Sequence, residues 1–160
     1  MSDFEPVNLM SEFNPLKEIK KCELILDGIE WPNFHDAEIH TLNIWRGDVR
    51  PEENIWIGPV IQISFDLCAL KVPYRVVLKF HDCEQIQLNA FNHQNALYDL
   101  HLPYGERGTL NNGDPMKPYI VVKFEQAFGA ELSFKCFKIE VTERRNLNRM
   151  LASEPEAGNL

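Results

Sequence analysis

A two-residue rhythm of apolar and polar side chains constrains this chain more than any other feature. Ile61, Ile63, Phe65 and Leu67 alternate with Gln62, Ser64 and Asp66, the period of a strand with one face buried and one wet. The same phase recurs in Val76, Leu78 and Phe80 against Arg75, Val77 and Lys79, in Ile86 and Leu88, and in Ile120, Val122 and Phe124. The gaps between these runs are mostly too short for the helical crossovers that parallel strands require. The pattern therefore predicts an antiparallel sheet, with a meander as its simplest topology. Beyond residues 125–130, a last strand puts Leu132, Phe134 and Cys136 on one face and Phe137, Ile139 and Val141 on the other. An apolar phase that flips between Cys136 and Phe137 marks either a β-bulge or a strand buried on both faces, and the bulge is favoured.

Helical signals are short. Asn14 is placed to cap a turn or two beginning at Pro15, where proline suits the first helical position. A second turn is predicted over Asn92–Tyr98 with Asn92 as its cap. The fold expected is α+β, mainly an antiparallel β-sheet meander with one or two short helices. With 160 residues, 44% of them apolar, the chain suits one domain with one core. Its expected parts are a loose arm over residues 1–14, a globular domain over 15–150 and a flexible tail over 151–160. Phe4, Leu9 and Phe13 are apolar points by which the arm can attach.

Sixteen Lys and Arg against 24 Asp and Glu give a net charge of −8, which argues against nucleic acid or an anionic membrane as partner. Residues 1–40 hold nine of the acids and three of the bases, so any electrostatic function leans toward the N-terminal quarter. The acidic start MSDFEPVNLM does not read as a signal peptide, and no apolar run approaches the roughly 18 residues of a membrane span. A cytoplasmic location is expected. The cysteines, Cys22, Cys68, Cys83 and Cys136, form no CxxC pair that would hold zinc, and reduced thiols are expected.

The densest polar cluster is Trp31-Pro32-Asn33-Phe34-His35-Asp36-Ala37-Glu38-Ile39-His40. On an extended chain Asp36, Glu38 and His40 share a face, an arrangement able to bind a divalent metal or move protons. The preferred reading is structural: Trp31 and Phe34 anchor the entry to a strand, and His35 and Asp36 bond to backbone in a turn. Asn92, His93 and Asn95 either contact a ligand or close a strand–helix junction, with capping preferred. In His81-Asp82-Cys83 a strand would put Asp82 on the face away from His81, so it cannot orient that imidazole for a cysteine nucleophile. GxSxG, GxxxxGK[ST] and GxGxxG are absent from the sequence. Arg144, Arg145 and Arg149 read as a solvated helix face. No catalytic residue, metal or cofactor is expected. The alternative is a small metal-dependent or small-molecule enzyme using His35, Asp36, Glu38 and His93.

The stretch Pro103–Pro118, PYGERGTLNNGDPMKP, has three glycines, three prolines and no apolar period. Loops of this length are commonly functional or disordered, and a disordered insertion with no role is the alternative. Tyr104, Glu106, Arg107, Asp114 and Met116 are its candidate partner-binding residues, offering apolar, charged and Arg contacts of the kinds used at interfaces.

Three segments together resemble a known family. Trp31–Glu38 is similar to a WPxFHDAE signature, Phe91-Asn92-His93-Gln94-Asn95 to an FNHQN signature, and Phe128-Gly129 with Phe134-Lys135-Cys136 and Ile139 to a closing G…FxC…I pattern. The resemblance is to the immunity protein 50 family of bacterial polymorphic-toxin immunity proteins and spans about Gly28 to Val141. The chain departs from that pattern in its Pro103–Pro118 loop and N-terminal extension. The resemblance implies a non-enzymatic domain that binds and neutralises a cognate protein toxin, and the acidic surplus suits a basic one such as a nuclease. Oligomeric state is left open.

Overall fold

The computed structural model describes residues 13–47, 49–50, 55–56, 58–67, 73–92, 94–105, 109, 111–115 and 118–147. The tail, and the arm apart from residues 13 and 14, lie outside them. A helical turn, α1 (Pro15–Glu18), starts as expected: the Asn14 side chain accepts from the Leu16 amide at 3.0 Å, and Pro15 takes the first position. A short strand, β1 (Ile19–Lys20), and a 3-10 turn (Cys22–Leu24) follow. The remaining elements are strands: β2 (Glu38–Trp45), β3 (Val49–Arg50), β4 (Ile55–Trp56), β5 (Val60–Leu67), β6 (Tyr74–His81), β7 (Glu84–Asn89), β8 (Ala96–His101), β9 (Ile120–Phe128), β10 (Glu131–Cys136) and β11 (Lys138–Asn146).

The α+β expectation is corrected to a mostly β fold, because α1 and the 3-10 turn are single turns beside a nine-stranded, mostly antiparallel sheet. Among the described residues of Asn92–Tyr98 no helical turn forms. Residues from Ala96 onward are β8, since the Leu97 amide donates to Ala37 O at 2.8 Å and the Asp36 amide to Leu97 O at 2.9 Å. The turn leading into β2 thus supplies hydrogen bonds that a helix would have made locally. Arg144 and Arg145 likewise lie on β11 rather than a helix, with Arg144 4.2 Å above the Tyr74 ring. Arg149 lies outside the described residues.

The strand order is β1-β11-β6-β5-β2-β8-β9-β10-β7. Meander connections hold for β2-β5-β6, around the small β3–β4 hairpin, and for β8-β9-β10, but not for the whole sheet. In a flat sheet β6 and β10, five places apart, would lie about 24 Å from each other. Instead Phe80 of β6 meets Phe134 of β10 with ring centroids 5.0 Å apart, and Phe65 of β5 meets Phe124 of β9 at 5.6 Å. The sheet therefore folds over on itself into two limbs, β1-β11-β6-β5-β2 and β8-β9-β10-β7, joined between β2 and β8 by the pair Glu38 and Ala96. The inward residues read from the alternation form the shared core: those of β5, β6 and β9 are at most 4% exposed. Ile86 and Leu88 share the phase but stay half-buried and exposed, because β7 is a sheet edge.

The flip of phase at Phe137 is a corner rather than a bulge within one strand. Before it β10 pairs with β9 and β7; after it β11 pairs with β6 and β1. Phe137 turns outward to stack on Tyr119 at 4.5 Å, and its amide donates to His81 O. Bulges occur elsewhere. One at His40 lets the Thr41 amide and hydroxyl reach the buried Ser64 Oγ at 3.0 and 2.6 Å.

Candidate functional site

The segments Trp31–Glu38, Phe91–Asn95 and Phe128–Ala130, far apart in sequence, meet at one end of the folded sheet. Phe34 is 2% exposed and packs edge-on to Phe65 at 5.2 Å, while Trp31 is partly buried and stacks on Phe34 at 5.7 Å. The anchoring expected of both aromatics thus falls mainly on Phe34. Past that anchor the chain turns sharply. Asn33 Oδ1 accepts from the His35 amide at 2.8 Å, the Ala37 amide closes onto Phe34 O, and Asp36 takes a left-handed φ of 66°, a conformation Asp tolerates better than most residues.

Asn95, 4% exposed, ties the three segments together. Its Oδ1 accepts from the Asn92 amide at 3.0 Å and the Ala130 amide at 2.9 Å, its Nδ2 donates to Asn92 O at 2.6 Å, and its own carbonyl accepts from the Ile39 amide at 2.9 Å. Gly129 fits against it because it lacks a side chain: at φ 76°, a Cβ there would lie 2.2 Å from Gln94 O and 2.6 Å from Asn95 Oδ1. Asn92 caps a turn as expected, accepting from the Gln94 amide at 3.0 Å, but no helix follows it.

On the surface of this junction the His35 ring meets Tyr98 edge-on at 5.1 Å, and its Nδ1 lies 2.8 Å from Tyr98 O. Asp36 projects into solvent with Oδ2 3.6 Å from His35 Nε2. Turn amides are met by Asn33 rather than Asp36. Asp36, Glu38 and His40 do not share an extended face, since Asp36 sits in the turn and His40 at the bulge. His93 lies outside the described residues, among which no group of three or more His, Cys, Asp and Glu gathers. Of the loop candidates, Tyr104 is half-buried, packed edge-on to Phe13 at 5.3 Å, with its hydroxyl held up in pKa by burial and by Glu18. Asp114 is exposed, and its Oδ2 accepts from Asn112 Nδ2 at 3.0 Å. Glu106, Arg107 and Met116 lie outside the described residues.

His81-Asp82-Cys83 forms the other corner, between β6 and β7. Asp82 Oδ1 accepts from the Gly58 amide at 2.8 Å, and the Cys83 thiol donates to Phe80 O at 3.3 Å. Burial pushes that thiol up to about 12, which suppresses the thiolate needed by a nucleophile. Cys22, Cys83 and Cys136 are all buried, and no two of them form a disulfide; Cys68 lies outside the described residues. Native protein treated with iodoacetamide at pH 8 should leave Cys83 unmodified by peptide mass spectrometry until denaturant is added; rapid native labelling would contradict this geometry.

His81 Nε2 lies 3.1 Å from Glu140 Oε1, with Lys21 3.8 Å from the other carboxylate oxygen. Burial lowers the His81 pKa below its usual 6.5, opposed in part by Glu140, with Lys138 and Lys79 adding to the lowering. Burial opposes ionisation of Glu140 too, but the His81 hydrogen bond, Lys138 and Lys21 outweigh it and leave the carboxyl below its usual 4.5. In both cases the folded state binds protons less readily than the unfolded chain, so acidification favours unfolding. The melting temperature should fall as pH drops from 7 through 6.5, and again below 4.5; His81→Gln should flatten the upper step. A melting temperature that rises over pH 7 to 5 would reverse the assignment.

Among the exposed aromatics, Tyr98 at 50% and Phe128 at 61% have no surface role in the sequence pattern. The β8–β9 register skips one residue at Ala127 and one at Tyr98, and such bulges re-aim side chains. In the sequence Tyr98 stands only at the end of the Asn92–Tyr98 segment and Phe128 only within the Phe128-Gly129 pair. The outer face of β8-β9-β10-β7 holds a trough of about 750 Å³ whose rim and floor include Gln87, His101, Lys123, Glu125, Glu131 and Ser133. Compared with family models, with curated proteins and with solved structures, the chain matches none.

Proposed function

We propose that this chain is an immunity protein: a non-enzymatic domain that acts in the cytoplasm by binding and neutralising a cognate bacterial toxin. The observation that carries the reading is the convergence of its three signature segments on Asn95, Gly129 and the Phe34 turn. Segments that each resemble part of one pattern have a common physical reason to occur together when they build one junction. The net charge of −8 adds support, since it speeds encounter with a basic toxin such as a nuclease. No described helix is long and apolar enough to cross a membrane.

The test is co-expression in bacteria with the toxin domain encoded by the neighbouring reading frame. Protection from killing, with a stable complex on size-exclusion chromatography, supports the proposal. Killing undiminished by well-expressed folded protein sinks it, and stoichiometric zinc, manganese or iron in the purified protein would favour the enzyme built on His35, Asp36, Glu38 and His93.

A further inference from the structure

Resting on the reading that this chain binds a protein, we infer that the outer face of β8, β9 and β10 is the docking surface, and that it receives an extended, lysine- or arginine-bearing segment of the partner. The surface starts from Phe128. Phe128 lies opposite Ala96, which lies opposite Glu38, and directly paired residues share a sheet face. Phe124 and Leu132 face the core, so their sequence neighbours on β9 and β10, including Lys123, Glu125, Glu131 and Ser133, face outward with them. A large aromatic side chain left 61% exposed on the strand whose residues Lys123 and Glu125 line a concave trough is a feature folding alone does not require. Aromatic side chains of this kind serve as interface anchors.

Charge selects the occupant. Asp99 pairs directly with Glu125 across β8 and β9, and the Leu132–Phe124 register sets Glu131 beside Glu125 on the next strand. Like charges opposed across strands destabilise a free sheet. His101, 2.7 Å from Glu125, and Lys123 offset only part of this row. A cationic side chain lying in the trough would complete the compensation, and the trough, running across several strands, has room for an extended segment. A second copy of this acidic chain would bring the same carboxylates against one another.

The probe is a synthetic ten-residue peptide alternating Lys and Thr, titrated into isotope-labelled protein by NMR, with its Glu-for-Lys counterpart as control. The expected footprint covers β8–β10 amides, weakens with added salt and is absent for the Glu peptide. The double variant Glu125→Lys, Glu131→Lys and the single Phe128→Ser alter exposed side chains and should fold. The double variant should weaken peptide binding about tenfold or more, whereas Glu23→Lys on the 3-10 turn should not. A footprint elsewhere, unchanged binding by the double variant, or equal binding of the Glu peptide would overturn the surface. In the co-expression assay the face variants should lose protection; face variants that protect like wild type overturn this surface while the toxin reading stands. An intact peptide footprint with no protection by wild type supports the surface and overturns the toxin reading.

Discussion

Replacing Asn95 by alanine should lower the free energy of unfolding by about 2–4 kcal/mol, because it strands backbone donors that cost about 1–3 kcal/mol each when left unmet. The orphaned groups are the Ala130 amide, in a buried setting, and the Asn92 amide, half-shielded, along with Asn92 O. Water can reach Asn92 more easily than Ala130, so most of the loss should arise at the hairpin between β9 and β10. Asn95→Asp keeps both acceptor bonds and loses the donation to Asn92 O, and should be milder. Gly129→Ala should approach the same phenotype by another route, since its Cβ would collide with Gln94 O. Urea denaturation measures all three. An Asn95→Ala loss below about 0.5 kcal/mol, the size of an ordinary surface change, would show that the junction does not depend on this side chain.

Phe34→Ala should cost about 3–5 kcal/mol, the range for a buried aromatic that leaves a cavity. Phe34 touches Phe65, which in turn touches Phe124 of the other limb, so the cavity would open where the two limbs meet. Trp31→Ala should cost distinctly less, because Trp31 is only partly buried and lies on the outer side of Phe34. Thermal melts of the two variants give the order directly. Equal losses, or a larger one for Trp31, would move the anchor to the tryptophan.

The candidate site was only partly legible in the chain. Trp31–Glu38 and Asn92–Asn95 stand out as dense polar and aromatic segments, and both reach the junction. Their roles did not follow from spacing. Asp36 reads as a turn acceptor, yet Asn33 does that work, because its Oδ1 accepts from the His35 amide two residues on. Tyr104 reads as an adaptable contact, yet its ring is engaged with Phe13. Tyr98 reads as the end of a helical turn, yet it is the bulged residue of a strand.

What the sequence alone determined is the β character, the inward residues of β5, β6 and β9, the capped turn at Asn14 and the acidic surplus. These depend on near neighbours or on sums over the chain, and alternation at a period of two is visible without knowing any partner strand. Tertiary structure alone decided that the sheet doubles over, that Phe137 turns a corner instead of bulging, and that Ala96–His101 is a strand. Each depends on hydrogen bonds or ring contacts between residues distant in the chain, such as Leu97 to Ala37 and Phe80 to Phe134. The exposed setting of Tyr98 and Phe128 belongs with these. A one-residue register skip reverses which face a side chain takes, and such a skip is set by the pairing of two strands rather than by either strand's own sequence.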